Sequence, residues 1–195
     1  MITRNRTSIL VLLLLSLLLQ SCWNPFRPRM IDNSNDLIHN RTPLELLQNL
    51  ERAYRERNIN IYKSLLAPDF RFELISSEVN LIGIDVNEDG IRDSWWGFDE
   101  DVEFTDNLFN HGSTDGVYPS PDQITLRLMV PPEENWETDP ELGHEDWIVI
   151  ACNFDLTLTY LSSNSSLAAG GVARFYLRPS GNRWYIAIWR DESNL

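Results

Sequence analysis

The chain has 195 residues, 43% of them hydrophobic and 23% charged, and 29 acids against 16 basic residues give a formal charge of -13 at pH 7. So acidic a balance excludes nucleic acid and anionic lipid as partners held through surface charge. From residue 42 onward 154 residues remain, enough for one hydrophobic core without staples.

The first residues, Met1 to Arg6, carry Arg4 and Arg6, and Ile9 to Leu19 follow with Ser16 as the single non-apolar residue. Eleven residues at ~1.5 Å of rise each are too short to cross a ~30 Å hydrocarbon layer, so the stretch reads as the apolar region of a secretory signal. Leu19-Gln20-Ser21-Cys22 resembles the lipobox of bacterial lipoproteins, in which the cysteine thiol is acylated, with palmitate among the chains, and becomes the new N-terminus; Gln20 is not the commonest residue at its place. The other reading is an ordinary signal peptide cleaved nearby. The resemblance implies a signal peptide over 1–21, a lipid anchor on Cys22, and a cell-envelope location; Trp23 after the cysteine resembles outer-membrane sorting where the source has two membranes. Loss of 1–21 removes two arginines and no acid, so the charge becomes -15. Membrane attachment then comes from the lipid alone.

Residues 22–41 hold Asn24, Pro25, Pro28, Asn33, Ser34, Asn35 and Asn40 without apolar periodicity, and read as a tether. A single domain is expected over 42–195. Thr42-Pro43-Leu44-Glu45 has the residues of a capping box, and Leu46, Leu47, Leu50, Ala53 and Tyr54 then share one helical face. A shorter helix is expected from Asn58 to Leu66, stopped by Ala67-Pro68-Asp69, with a strand starting at Phe70. Asp99 to Asn110 has helical spacing again; Asp99, Glu100 and Asp101 fill its first turn, where the helix dipole favours acids.

Ile124 to Val130 is a strand, Pro131 to Asp146 an acidic connection with seven acids and no base, and Trp147 to Leu161 the longest strand. The closing stretch is a hairpin. Ala173, Phe175 and Leu177 alternate with Arg174, Tyr176 and Arg178, and Ser180-Gly181-Asn182 turns the chain into a second strand. In that strand Trp184, Ile186 and Ile188 are expected on one face and Tyr185, Ala187 and Trp189 on the other, so both faces are covered. Helices grouped ahead of an antiparallel run imply an α+β fold with the helices on one face of the sheet.

Leu47, Leu50 and Tyr54, then Tyr62, Leu65, Leu66, Asp69, Phe70 and Phe72, the pair Leu108-Phe109, and the terminal Gly181 to Asp191 together resemble the nuclear-transport-factor-2-like superfamily in its SnoaL-like branch. The resemblance implies a cone-like curved antiparallel sheet packed on N-terminal helices, with a pocket at its open end. Its members include isomerases, dehydratases and domains without activity, so the fold leaves function open.

Asp85, Asn87, Asp89 and Asp93 stand at relative positions 1, 3, 5 and 9, with Gly90 at 6 and the Ile91 carbonyl at 7. That spacing suits calcium, because a tight turn at the glycine lets alternate residues point inward. It resembles dockerin and thrombospondin type 3 loops but has Trp96 at position 12 in place of a bidentate Glu, with Asp99 or Glu100 left to reach back. Affinity in the ~10⁻⁴–10⁻³ M range follows. An acidic Asx-rich turn without metal fits the same residues.

No catalytic constellation is visible. His39, His111 and His144 have no metal-ligand spacing, and Cys152 lies in the apolar run Trp147 to Phe154, so it reads as a small core residue. Tyr54, His111, Tyr160 and Trp184 are candidates for lining a cone pocket, each also explicable by packing or capping. The sequence thus favours a non-catalytic, lipid-anchored binding domain of unknown small-molecule or protein ligand, stabilised by calcium, with a homodimer through the outer sheet face as one partner. The alternative is an isomerase or dehydratase-type enzyme, or a carrier, using the cone.

Overall fold

The computed structural model describes residues 38–113 and 116–193. Cys22, the signal segment and nearly all of the tether lie outside them. Among the described residues no helix is long and apolar enough to cross a membrane.

Helix α1 (Pro43–Glu56) starts as the sequence directs: the Thr42 hydroxyl accepts from the Glu45 N–H at 3.1 Å and proline occupies the first turn. It ends on Arg57 at φ 51°, whose Nε donates to the Phe109 carbonyl at 2.6 Å and so ties α1 to a later turn. Helix α2 (Ile59–Leu65) is capped by the Asn58 side chain. Strand β1 (Leu66–Glu73) begins at once, earlier than the Ala67-Pro68-Asp69 stop suggests; the register shifts between Leu66 and Arg71, and a proline is tolerated in such an irregular stretch because no ladder N–H is required of it. After the short helix α3 (Val79–Ile82) come β2 (Trp95–Gly97) and helix α4 (Phe98–Asp106), continued by a π-helical turn over Asn107–His111. Strands β3 (Gln123–Met129), β4 (Glu137–Thr138), β5 (Ile148–Tyr160), β6 (Ser165–Ser180) and β7 (Arg183–Asp191) complete the chain.

The sheet order is β2-β1-β7-β6-β5-β3, with β4 added to β5. Every pair is antiparallel except β1 with β7, which are parallel, so the sheet is mixed where the sequence suggested a purely antiparallel one. Helices inside a curled sheet make this the α+β cone fold that the nuclear-transport-factor-2-like resemblance implied. The main core joins α1, α2 and the π turn to the inner face of the sheet, through Leu46, Leu50, Tyr62, Leu65, Phe109, Ile150, Phe175 and Ile186 among others. The fold also takes in the end of the tether: Ile38 packs on this core, and the Asn40 carbonyl accepts from the Trp184 N–H at 2.7 Å.

An irregularity in the last strand pair decides which side chains reach the inner face. β6 and β7 slip between Tyr176 and Leu177, because Tyr176 faces Ile188 and Leu177 faces Ile186, leaving Ala187 unmatched. A residue inserted into one strand reverses the facing of everything after it. Trp184 and Ile186 therefore share the inner face with Trp189, while Ile188 joins Tyr185 and Ala187 outside. Strict alternation put Trp189 on the wrong side.

Candidate active site

Between the helices and the inner face of the sheet lies a cavity of about 230 Å³. Tyr54 of α1, Tyr62 of α2, Asp101 and Thr105 of α4, Phe72 of β1, Leu126 of β3, Phe154 and Leu156 of β5 and Trp189 of β7 all line it. Trp189 reaches the cavity because of the bulge at Ala187. Its ring sits 4.9 Å from Phe175 and 5.6 Å from Phe72, and Phe72 stacks flat on Trp96 at 4.4 Å.

Asp101 is the chemical centre of this space. It is 5% exposed, and its two oxygens accept from the Tyr62 hydroxyl at 2.5 Å and from the Trp96 indole Nε1 at 3.0 Å. Burial pushes its carboxyl up from the ordinary range to about 6, and those two hydrogen bonds, which favour the charged form, hold it from rising further. A carboxyl at about 6 exchanges protons readily near neutral pH, which is what general acid–base work requires. Behind it burial, and then the nearby Asp101 charge, hold the Tyr62 and Tyr54 hydroxyls far above their usual value. They remain neutral donors. Asp191, at the end of β7, is a second carboxylate on the cavity wall, and accepts from the Ser193 N–H at 2.9 Å.

Helix α4 delivers Asp101 to the interior. Glu100 reaches back to the Gly97 N–H at 3.1 Å and fixes the start of the helix, so it is engaged there and not at the preceding loop. Asp101, Val102 and Thr105 then form its buried side. In the sequence Asp99, Glu100 and Asp101 read alike, as acids of a first turn favoured by the helix dipole. Position 101 differs from 99 and 100 because it shares the helical stripe with 105 and 109. A polar residue at a core position of that stripe was the available signal.

Of the candidate pocket residues, Tyr54 lines the cavity. Tyr160 lines a separate hollow nearer the surface, with Phe104, Leu108, Tyr118, Leu158 and Leu167. His111 is exposed and lies 3.5 Å from Asp106, and Trp184 packs against the core at the start of β7, paired with Pro179. Neither lines either space. Cys152 is buried and its thiol is pushed up to about 11 by burial, as befits a core residue.

In the 85–93 loop the side chains turn on their own backbone. Asp85 accepts from the Asp89 and Gly90 N–H groups at 3.0 and 2.7 Å, Asn87 from Asp89 at 3.1 Å, Asp89 from Ile91 at 2.8 Å and Asp93 from Val86 at 3.0 Å. Gly90 adopts φ 87° as the tight turn needs. Trp96, at position 12, is withdrawn into the protein beside Asp101. Elsewhere, Asp139, Glu141 and His144 bring three ligand-type atoms within 4.8 Å of one another; His144 Nδ1 lies 2.7 Å from Asp139, and its ring stacks on Trp147 at 3.6 Å.

No protein-family model matches the sequence, and no curated protein matches it significantly. Solved structures match its fold. A Novosphingobium aromaticivorans protein described as an aromatic ring hydroxylase is 13% identical over 80% of this chain and 90% of its own, with a TM-score of 0.52. Another from that species, described as a scytalone dehydratase, is 7% identical over 78% of this chain and 81% of its own, at 0.51. The Kfla4162 protein of Kribbella flavida is 6% identical over 78% and 88%, at 0.53. At such identities the likeness is one of fold.

Proposed function

We propose that the chain is a small-molecule enzyme that moves a proton to or from carbon inside the cone, in an isomerisation or an elimination, with Asp101 as the general base and acid. The observation that carries this reading is a buried carboxyl, tuned to about 6, opening on an aromatic-walled cavity. Tyr62 and Trp96 position it, each through one oxygen. The aromatic walls and Leu126 exclude water around a flat apolar substrate. That neighbours of the same fold are described as a dehydratase and a hydroxylase is compatible with such chemistry. A purely structural domain has no use for an acid without a counter-charge at this place, where burial works against its ionised form.

The test uses 2-tetralone in deuterated water, with exchange of the protons next to the carbonyl followed by proton NMR. Catalysed exchange that rises with pH through a midpoint near 6 and drops by a factor of about 10²–10⁴ in Asp101→Asn is expected. Equal rates for the two proteins would sink the assignment of Asp101.

In the same reading, acylation of Cys22 anchors the enzyme in the cell envelope, and Cys22→Ser should move it from the membrane to the soluble fraction. The 85–93 loop takes calcium weakly, through Asp85, Asn87, Asp89, Asp93 and the Ile91 carbonyl. Millimolar calcium should then raise the melting temperature over that in excess chelator, and identical melting curves would remove the metal from the account.

A further inference from the structure

The hollow that holds Tyr160 has a volume of about 430 Å³ and adjoins the Asp101 cavity along three elements at once. In β5, Leu156 belongs to the inner space and Leu158, the next residue on the same face, to the outer. In β6, Ala169 belongs to the inner and Leu167 to the outer, and the register pairs Leu156 with Ala169 and Leu158 with Leu167. On the helical side Thr105 faces inward, while Phe104 and Leu108 face the outer hollow. The two spaces are consecutive rows of one trough, a step of about 6–7 Å apart along the strands.

The outer row is apolar and open. Phe104 is 42% exposed, Leu167 51% and Tyr118 58%, and an apolar surface gathered in a concavity is costly unless something covers it. Among the described residues that line it the one acid, Glu103, is exposed. Ala169 stands at the junction of the rows with a single methyl group, where a larger side chain would narrow the passage.

We infer that the outer row is a binding subsite for the apolar extension of the substrate, whose polar, reacting end lies at Asp101. This rests on the proposed reaction and goes beyond it by naming the ligand class: an amphipathic molecule with a compact polar or carbonyl-bearing head and an apolar tail or further rings. A head-only molecule fills the inner space and leaves the outer row wet. An extended one covers Leu158, Leu167 and Phe104, and each methylene laid on them strengthens binding by up to about fourfold.

The experiment titrates 4-ethyl-, 4-butyl- and 4-hexylphenol calorimetrically into the full chain carrying Cys22→Ser, so that no lipid competes for the probe. The phenol hydroxyl donates to the Asp101 carboxylate, which has lone pairs left beside the two bonds it already accepts. The expected result is affinity rising by a factor of about three to four per methylene, and a flattened slope in Leu167→Glu and in Tyr118→Ala, two exposed positions whose change spares the core. The slope is read within each variant, and circular dichroism verifies folding. Equal affinity for all three phenols, or an unaltered slope in both variants, overturns the subsite while leaving the Asp101 reading intact. If no phenol binds at pH 7, the cavity reading falls, and the subsite with it.

Discussion

The two faces of the sheet use the same residue types to opposite ends. Outside, aromatic rings are matched with cations: Arg178 lies over Trp147 at 5.5 Å, Arg183 over Tyr185 at 5.5 Å and Arg190 over Tyr176 at 5.1 Å. Two of those arginines are also engaged with acids, Arg178 with Asp69 by two bonds of 2.9 and 2.6 Å and Arg190 with Glu73 at 2.6 Å. Inside, Tyr54, Tyr62, Phe72, Trp96 and Trp189 surround Asp101, and the partners that it has are neutral donors. The consequence is a split in acid strength. The Arg178 guanidinium holds the Asp69 carboxyl below the usual range, whereas burial lifts Asp101 to about 6. The acid with a guanidinium partner is held ionised, and the acid proposed for chemistry is the one without a counter-charge.

Removing the isolated acid should have the largest effect, a fall of about 10²–10⁴ in exchange rate for Asp101→Asn. The same pair of proteins tests the contrast through stability. The folded pKa of Asp101 lies above its unfolded value of 3.8, so its stabilising contribution is complete below that value and is lost as pH rises through about 6. Wild type minus Asp101→Asn in urea unfolding should therefore fall by about 2 kcal/mol between pH 4 and 7. A flat difference would mean that the carboxyl is not desolvated.

Next in size is the loss of one donor. Tyr62→Phe deprives the charged carboxylate of its shortest hydrogen bond, so the midpoint of the exchange profile should move above 6; a midpoint that stays or falls would show that the hydroxyl does not stabilise the anion. The smallest effect belongs to the paired face. Arg178→Ala breaks an ion pair whose Asp69 side chain is 67% exposed, together with a cation–π contact, and should cost only about 1 kcal/mol. Its sign with pH is opposite to that of Asp101: Asp69 is depressed in the folded state, so its contribution is present above its unfolded value and fades as pH falls. Urea unfolding at about pH 3 and pH 7 measures both points.

The sequence carried the fold well, since amphipathic spacing in α1 and alternation in β6 are direct records of burial. Leu46, Leu50, Ala173, Phe175 and Leu177 are all inside as that pattern requires. It was less informative wherever tertiary contact decides. The parallel pairing of β1 with β7 leaves no local mark, and β2 and β4 are only three and two residues long. Of the site, Tyr54 was legible because it sits in an apolar stripe. Asp101 was legible only as a polar residue on the stripe of 105 and 109, a mark that the helix dipole hides by giving an equally good reason for an acid at a first turn, and it is the approach of Trp96 and Tyr62 from other elements that makes it a site. His111 and Tyr160 read alike in sequence yet lie outside the cavity, since which wall a residue faces depends on how far the sheet curls.

The unmatched Ala187 sets a polarity for the whole end of the chain. With Ala187 bulged out of the ladder, Trp189 looks into the cone and Arg190 looks out toward Glu73. A strand that ran on in strict alternation through a paired Ala187, with no bulge, would exchange the two, bringing a guanidinium to the wall that now carries an indole, and Asp101 would acquire a counter-charge. The hollow would then become an ordinary salt-bridged interior, so the division between the cavity side and the ion-paired side of this sheet hangs on a single step in the register of its last strand.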